Sequence, residues 1–412
     1  MQTARLITLS FLLSLFANFA GAQNPGGTPL PSRIEEKKTE SEPKKKWYDR
    51  INVRGYAQLR YNRLLETNPN LGCEQCDASW GEGGGFFLRR VRVIFSGQIH
   101  PRVYFYIQPD FASSINGTLN MGQLRDAYFD VGIDKKNEFR FRIGQSKIPY
   151  GFENMQSSSN RLPLDRADGT NAIKNERDAG VFFYWAPKKV RERFSMLVRD
   201  GYKGSGDYGV FGIGAFVGQN ANNPELNNDP HYVARLSYPF VIGSQIIEPG
   251  IQAYTGQYEI PKSNLSKGVK YQPDLNYIDQ RVAASFILYP RPFGIQAEYN
   301  VGRGPEFNKV TDSIEVQDLS GGYATLSYMI RAGSHLIYPF TRIQYYEGGK
   351  KHELDARSYK VNELELGVEW EPIDAFELVV MYTISSRKYE DFVKQDNFQS
   401  GSLLRIQAQL NF

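Results

Sequence analysis

Several segments of the chain carry arginines at every second position, a spacing that could gather guanidinium groups on one face of a strand. Arg90 and Arg92 form one such pair, and Arg140 and Arg142 form another. Successive side chains of a β-strand point to opposite faces, so residues two apart share a face. Because a guanidinium group binds phosphate oxygens through two parallel hydrogen bonds, such a row would form a surface for phosphate-like anions.

Charged residues that could line this surface extend along the whole chain. The basic candidates are Arg54, Arg60, Arg90, Arg92, Arg140, Arg142, Lys147, Arg161, Arg166 and Arg405. The acidic candidates are Asp126, Asp130, Glu298, Glu363 and Glu365. We expect the arginines of the first, second and last strands to form one basic wall, with the two signs of charge on different arcs. The alternative is that the arginines pair with carboxylates of neighbouring strands as scaffolding.

The end of the chain shows which elements would position these residues. One face of the last segment carries Leu404, Ile406, Ala408, Leu410 and Phe412, and the other carries Leu403, Arg405, Gln407, Gln409 and Asn411. Period-two alternation predicts a strand with a different solvent on each side. A terminal strand that ends on an aromatic residue is typical of bacterial outer-membrane β-barrels. We therefore expect Phe412 to be recognised by the barrel-assembly machinery.

The same alternation recurs from residue 51 onward, and the connections between predicted strands are alternately long and short. Long connections are expected at residues 64–85, 112–122, 150–177, 219–230, 259–278, 302–320, 347–359 and 388–400. Short periplasmic turns and long outer loops give this pattern in outer-membrane barrels. The prediction is an all-β, transmembrane antiparallel barrel of about sixteen strands over residues 51–412, facing outer-membrane lipid.

Two places resist this simple pattern. Residues 194–198 look like a strand, but an extra strand there would break the even count. We assign them to an elaborated turn between the sixth and seventh strands; the alternative is about eighteen strands. Arg89 falls on the lipid-facing parity, and we expect it to reach the outer interface along its aliphatic stem.

The composition excludes a helical membrane protein, and the N-terminal segment indicates export. Beyond the N-terminus, no apolar run approaches the roughly 18–20 residues that a membrane helix needs. Residues 1–22 read as a signal peptide, and residues 23–50 as a disordered periplasmic linker. The formal net charge of +4 is small and gives no indication of nucleic-acid binding. The aromatic content of 14% is compatible with the interfacial girdles of a barrel.

A long insertion follows the fifth predicted strand. About 28 residues separate Tyr150 from the next strand; they are mainly polar, with Leu162, Leu164 and Ile173 available to dock the segment. A connection of this length with apolar docking residues is expected to fold back onto the protein. If it folds into the lumen, it narrows the pore. The alternative is an outer surface loop.

Five motifs in this chain resemble a known family, the phosphate-selective porins of the O and P type. They lie at residues 88–92, 124–128, 144–153, 176–180 and 296–299, and the segment Gly-Gln-Ser-Lys-Ile-Pro-Tyr-Gly-Phe-Glu is the most specific. The resemblance implies a trimeric, sixteen-stranded porin with its third outer loop folded inward, and uptake of anions such as phosphate or polyphosphate. Lys147, Arg90 and Arg92 match these motifs, but the full ladder of arginines and the lysine cluster that give the named members their selectivity have no counterpart in this sequence.

Other constellations carry less chemistry. Cys73 and Cys76 lie in the first outer loop, where a disulfide fits an oxidising compartment better than a zinc site with half its ligands. The four histidines lie at predicted strand ends or in loops, and none has a nucleophilic residue at a spacing that would indicate a catalytic site. We therefore expect no enzyme, no cofactor and no metal.

The sequence thus predicts a porin in the outer membrane of a Gram-negative bacterium. Small hydrophilic solutes would pass passively, with a bias toward anions set by pore width and by the lining arginines. One alternative is a general-diffusion porin with little selectivity. The other is an outer-membrane enzyme or adhesin whose barrel has a closed lumen.

Overall fold

The computed structural model describes residues 47–65, 85–115, 118–170 and 177–412. The predicted signal peptide, the linker up to residue 46 and the predicted disulfide between Cys73 and Cys76 lie outside these residues. The last linker residues are not irregular, because Trp47–Arg50 forms a 3-10 helix. Arg50 Nη1 donates a 2.8 Å hydrogen bond to the carbonyl of Ile99 and so ties this helix to the second strand.

The described residues form one closed antiparallel sheet of sixteen strands. The strands are β1 Asn52–Leu64, β2 Gly85–His100, β3 Val103–Ile115, β4 Thr118–Gly132, β5 Phe139–Lys147, β6 Arg177–Trp185, β7 Phe211–Phe216, β8 His231–Ser237 with its continuation Phe240–Ile242, β9 Gln245–Glu259, β10 Asn276–Leu288, β11 Phe293–Asn308, β12 Ser313–Tyr328 with its continuation Ile330–Ala332, β13 His335–Gly349, β14 Ser358–Ile373, β15 Phe376–Glu390 and β16 Phe398–Asn411. Each interrupted strand counts once, because both of its parts pair with the same neighbour.

Helical elements lie between the strands. They are α1 Phe152–Met155, α2 Lys188–Arg199, and 3-10 helices at Asp168–Thr170, Lys262–Asn264 and Leu354–Ala356. Within the described residues, no helix has both the length and the apolar character needed to cross a membrane.

Pairing between the first and last strands closes the barrel. Their register runs from Tyr56 opposite Asn411 to Leu64 opposite Leu403. The backbones of Gly55 and Phe412 exchange hydrogen bonds of 2.7 and 3.0 Å. A Cβ at Gly55 would lie 2.5 Å from the Phe412 ring, so glycine permits the terminal aromatic to lie against the first strand. The predicted closure and the in–out alternation of β16 are both confirmed.

Alternation continues around the wall. Outward-facing apolar side chains such as Phe95, Ile107 and Phe129 are exposed, whereas inward-facing arginines are buried. An apolar exterior suits hydrocarbon, in which a charged side chain at mid-depth costs about 2–4 kcal/mol. The wall therefore separates two solvents, as the sequence predicts.

Two expected long connections are mostly strand. The predicted loop at residues 112–122 lies largely within β3 and β4, and the one at residues 302–320 largely within β11 and β12. Backbone pairing in a hairpin can continue beyond the membrane without an apolar face, and a search for apolar alternation therefore ends such strands too early.

Residues 194–198 belong to helix α2, in the connection between β6 and β7. The assignment to an elaborated turn is confirmed, and the eighteen-strand alternative is wrong. The strand-like appearance was misleading, because Val190, Phe194 and Leu197 are the buried residues of this helix. Their spacing of four and three places them on one helical face.

Candidate functional site: the inward loop and its charged wall

The connection after β5 folds into the barrel, as predicted. We call residues 148–170 the constriction loop; residues 171–176, which complete the connection, lie outside the described residues. Lys147 Nζ donates hydrogen bonds to the carbonyls of Met155, at 2.9 Å, and of Gln156. The Glu298 carboxylate of β11 accepts the backbone N–H groups of Phe152 and, at 2.8 Å, of Glu153. Two of the predicted charged residues therefore hold the loop rather than point into open space.

Asp165 is the main attachment of the constriction loop to the wall formed by β16, β1 and β2. Its carboxylate accepts Arg60 at 2.6 Å and Arg89 and Arg405 at 3.2 Å. Burial of Asp165 opposes its ionisation, but these guanidinium groups hold the pKa of its carboxyl well below the usual value. One loop carboxylate therefore faces three arginines of the wall.

Arg89 does not reach outward to the lipid interface, and that expectation was wrong. The register between β1 and β2 shifts at a bulge, with Gln58 opposite Arg90 and Leu59 opposite Leu88. A β-bulge leaves one extra residue in its strand and redirects that side chain. Here the extra residue is Arg89, which turns inward to Asp165.

Arg90 and Arg92 lie side by side on the inner face of β2, but their partners differ. Arg92 Nε donates to the Asp110 carboxylate at 2.7 Å, and its Nη1 to the Tyr56 hydroxyl at 2.9 Å. Arg90 Nη1 donates to the Gln58 side-chain amide oxygen at 2.8 Å. Arg90 is only 5% exposed, and within the described part of the chain it forms no ion pair with a carboxylate.

Several of the charges around Arg90 are positive, although the Asp165 carboxylate also interacts with it. The charges that act on it most strongly are those of Arg89, Arg92 and Arg161. Arg161, from the constriction loop, is buried at 4% exposure. A buried guanidinium among like charges is costly unless an anion compensates for it. Arg90 is therefore the strongest candidate contact for a bound anion.

The next part of the wall carries both signs of charge in direct contact. Arg142 forms a two-pronged interaction with Asp130 at 2.8 and 3.0 Å, and Arg140 lies 2.8 Å from Asp207. Asp126 pairs with Arg177 at 2.9 Å.

The opposite wall is paired in the same way. Arg387 lies 2.6 Å from Glu363, and Arg342 bridges Glu365 at 2.5 Å and Glu153 of the constriction loop at 2.7 Å. The expectation that the two signs occupy different arcs was wrong. The alternation of side chains along a strand determines whether a charged residue faces the lumen. Contacts with neighbouring strands and loops determine which residue it pairs with.

The remaining predicted residues separate into two groups. Arg166 binds backbone carbonyls of Glu153, Asn154 and Gln156 and so braces the constriction loop from within. Arg54 is exposed near the periplasmic end of β1. The structure thus gathers Arg60, Arg90, Arg92, Arg161 and Arg405 around one stretch of wall and leaves Arg54 apart.

Several charged residues in the lumen were not predicted. They include Lys203 and Asp207, which come from the connection between β6 and β7. The sequence indicated that this connection is unusual through its length, which exceeds that of the neighbouring short turns. Its inward course could not be read from a local pattern.

A closed sixteen-strand barrel, apolar outside and charged inside, with a long loop folded into its lumen, defines the porin class of outer-membrane channels. Comparison with known proteins narrows the class. The chain matches the family described as phosphate-selective porin O and P over residues 74–412, and it belongs to that family.

Solved structures agree on the fold. The outer-membrane channel DcaP of Acinetobacter baumannii gives a TM-score of 0.55 at 14% identity, covering 88% of this chain and 97% of that chain. The trimer form of OmpT from Vibrio cholerae gives 0.54 at 11% identity, covering 88% and 99%. OmpF of Salmonella typhi, in complex with daunomycin, gives 0.55 at 11% identity, covering 88% and 97%. Among curated proteins, none matches this chain.

Proposed function

We propose that this outer-membrane channel takes up small hydrophilic solutes with a bias toward anions, and that phosphate or polyphosphate binds beside Arg90. The observation that carries the proposal is the buried Arg90 guanidinium, which lies among other arginines and bonds to an amide oxygen rather than to a carboxylate. Membership of the phosphate-selective porin family supports the class of solute.

The geometry favours a phosphate-like ligand over a simple halide. A phosphate group offers several oxygens, and a guanidinium group can bind two of them at once. Arg92 already forms an ion pair with Asp110, so it would add positive charge near the ligand without contacting it directly. Arg90 would supply the direct contact, because its own protein partner is neutral.

The test is the reversal potential of the purified protein in a salt gradient, with Arg90→Gln as the variant. One charge about 10 Å from an ion in water contributes about 0.4 kcal/mol, so anion preference should fall about twofold. Arg303→Gln is the matched control, because Arg303 is exposed and pairs with an exposed carboxylate. Equal reversal potentials for wild type and Arg90→Gln would contradict the proposal.

Phosphate block tests the ligand separately. Inorganic phosphate added to chloride should reduce the current through wild type at concentrations that leave Arg90→Gln unaffected. The double charge reversal of Arg90 and Arg92 to glutamate should go further and lower anion preference below that of Arg90→Gln. Block of equal strength in wild type and Arg90→Gln would remove Arg90 from the site.

A general-diffusion channel is the second candidate. The specific observation in its favour is the close pairing of opposite charges, as in Arg142 with Asp130 and Arg387 with Glu363. Paired charges leave a smaller net field in the lumen. Weak selectivity without phosphate block would support this candidate.

We also propose the route to the membrane and the assembled state. The signal peptide of residues 1–22 would direct export in a Gram-negative bacterium, and residues 23–46 would form a periplasmic linker. Cys73 and Cys76 would form a disulfide in the first outer loop. Phe412 would be recognised by the assembly machinery, and three chains would assemble, a proposal that rests on the family and on the trimer form of OmpT.

A further inference from the structure

One connection at the short-turn end of the barrel is unlike the others. The turns at residues 101–102, 243–244, 333–334 and 374–375 are brief, whereas residues 186–210 separate β6 from β7. Short turns face the periplasm in barrels of this class. This long connection contains helix α2 and then residues 201–209, which we call the strap.

The two ends of the strap attach to opposite walls. Near its start, Lys203 Nζ donates to Glu369 and, at 3.0 Å, to Glu371 of β14, while the Tyr338 hydroxyl of β13 donates to the carbonyl of Gly201 at 2.5 Å. Near its end, Asp207 lies 2.8 Å from Arg140 of β5. β5 and β13 are eight positions apart in the sixteen-strand order, so they face each other across the lumen.

The length of the strap is compatible with this crossing. From residue 203 to residue 207 the chain can extend about 14 Å, at roughly 3.5 Å per residue, before the Lys and Arg side chains add their own reach. The strap therefore lies across the lumen rather than along one wall.

The strap also forms hydrogen bonds with the constriction loop. Gln156 Nε2 donates to the carbonyl of Lys203 at 2.5 Å, and Asn160 Nδ2 donates to the carbonyl of Gly204 at 2.8 Å. The two inward segments thus form consecutive layers on the way to the periplasm. A displacement of the strap would remove hydrogen bonds from the layer above it.

The space on the two sides of the strap is filled differently. On one side, α2 packs its Leu197 against Phe152, Ile246, Ile287 and Tyr289, which closes that part of the lumen with apolar side chains. On the other side, Tyr104 and Tyr106 of β3 are only partly buried, and Arg54 of β1 is exposed. The accessible side chains therefore lie along the first strands, below the charged wall around Arg90.

We propose that the strap is a second size filter, at the periplasmic exit, and that Lys203 is the positioning residue that holds it across the lumen. This inference rests on the proposed channel function and adds a determinant of solute size. The constriction loop and the strap would act in series, with the exit confined to the side of β1–β4. Charge selectivity would remain with the wall around Arg90.

Variants at both ends of the attachment test the filter. Lys203→Gln removes the cation, and the Glu369→Gln/Glu371→Gln double variant removes the two carboxylates of β14 that pair with it. Either change should raise single-channel conductance about 1.5- to 2-fold, because conductance follows the open cross-section, and should admit larger sugars into proteoliposomes. Lys203→Arg should restore the wild-type values, and Lys189→Gln, on the exposed face of α2, should leave them unchanged.

Folding of each variant is checked by heat-modifiable migration in SDS gels, which reports the closed barrel. Wild-type conductance and sugar exclusion in folded Lys203→Gln, or in the folded double variant if Lys203→Gln does not fold, would overturn the filter. Reversal potentials measured in the same bilayers report anion preference separately. A channel without anion preference but with the predicted rise in conductance would refute the proposed selectivity and leave the filter supported.

Discussion

The inside of the barrel has two unlike regions, and both hold the constriction loop. Along β6 to β10 the inner face carries a buried cluster rich in aromatic side chains, a region that we call the aromatic arc. Its buried cluster contains Phe182, Tyr184, Phe216, Val233, Tyr254 and Ala283, packed against Ile148 and Tyr150 of the loop. Along β16, β1 and β2 lies the charged wall, with Arg60, Arg89, Arg90, Arg92 and Arg405.

The difference lies in how each region fixes the loop. In the aromatic arc, Tyr150 meets Tyr254 edge to face at 4.9 Å, and the contact is made between uncharged rings. On the charged wall, Asp165 meets three guanidinium groups, and the contact depends on ionisation. The first region holds the loop through uncharged contacts, whereas the second holds it through ion pairs and also contains Arg90, which forms no ion pair with a carboxylate within the described residues.

The largest effect on stability is expected in the aromatic arc. Tyr150→Ala should lower the free energy of unfolding by about 3–5 kcal/mol, because it leaves a cavity in a close-packed cluster. Tyr150→Phe is the matched control, since the hydroxyl forms no hydrogen bond within the described residues, and it should change stability by less than about 1 kcal/mol. Urea unfolding in lipid vesicles measures both variants. Equal midpoints for the two would show that this contact does not hold the loop.

The next effect belongs to the charged wall and should appear in two measurements. Asp165→Asn leaves Arg60, Arg89 and Arg405 without their shared carboxylate and should lower stability by up to about 3 kcal/mol. Because a negative charge is lost near the path, anion preference should rise about twofold. Unaltered reversal potentials in the folded variant would place Asp165 away from the permeating ion.

Acid should separate the two regions further. The carboxyl pKa of Asp165 is lower in the folded protein than its unfolded value of about 3.9, so its stabilising contribution is present above about pH 4. That contribution is lost as the pH falls below 4 toward the depressed value. The stability difference between wild type and Asp165→Asn should therefore be constant from pH 7 to 5 and shrink near pH 3. A difference that already shrinks between pH 7 and 5 would contradict this assignment.

The smallest effect is expected for an ion pair outside both regions. Arg303 and Asp318 form a 3.1 Å pair whose side chains are 58% and 87% exposed. Asp318→Asn should change the free energy of unfolding by less than about 1 kcal/mol and leave selectivity unaltered. A loss as large as that of Asp165→Asn would mean that burial does not set the strength of these pairs.

Much of the fold could be predicted because alternation is a local signal. The inward parity of Arg92 and Arg142 can be read from the residues beside them, and the structure turns both inward. The orientation of Arg89 could not be predicted in this way. A bulge reverses the inward and outward order of the side chains, and the apolar pattern of the sequence does not show where the bulge lies. Helix α2 was missed for a related reason: its apolar face spans few residues and resembles a short strand.

The candidate site was less predictable than the fold. Arg60 and Arg405 each bond to Asp165, at sequence separations of 105 and 240 residues. Lys203 reaches Glu369 across 166 residues. No periodicity in either segment contains information about such a partner.

By itself, the sequence determined that the chain curls into a barrel and which side of each regular strand meets lipid. These properties follow from the period of the strand and from the cost of placing charge in hydrocarbon. Only the tertiary structure decided which charges neutralise each other, and that Arg90, within the described residues, bonds to an amide oxygen instead of a carboxylate. Closure of the sheet brings distant loops and strands within hydrogen-bonding distance, and ion pairs depend on that distance rather than on position in the chain.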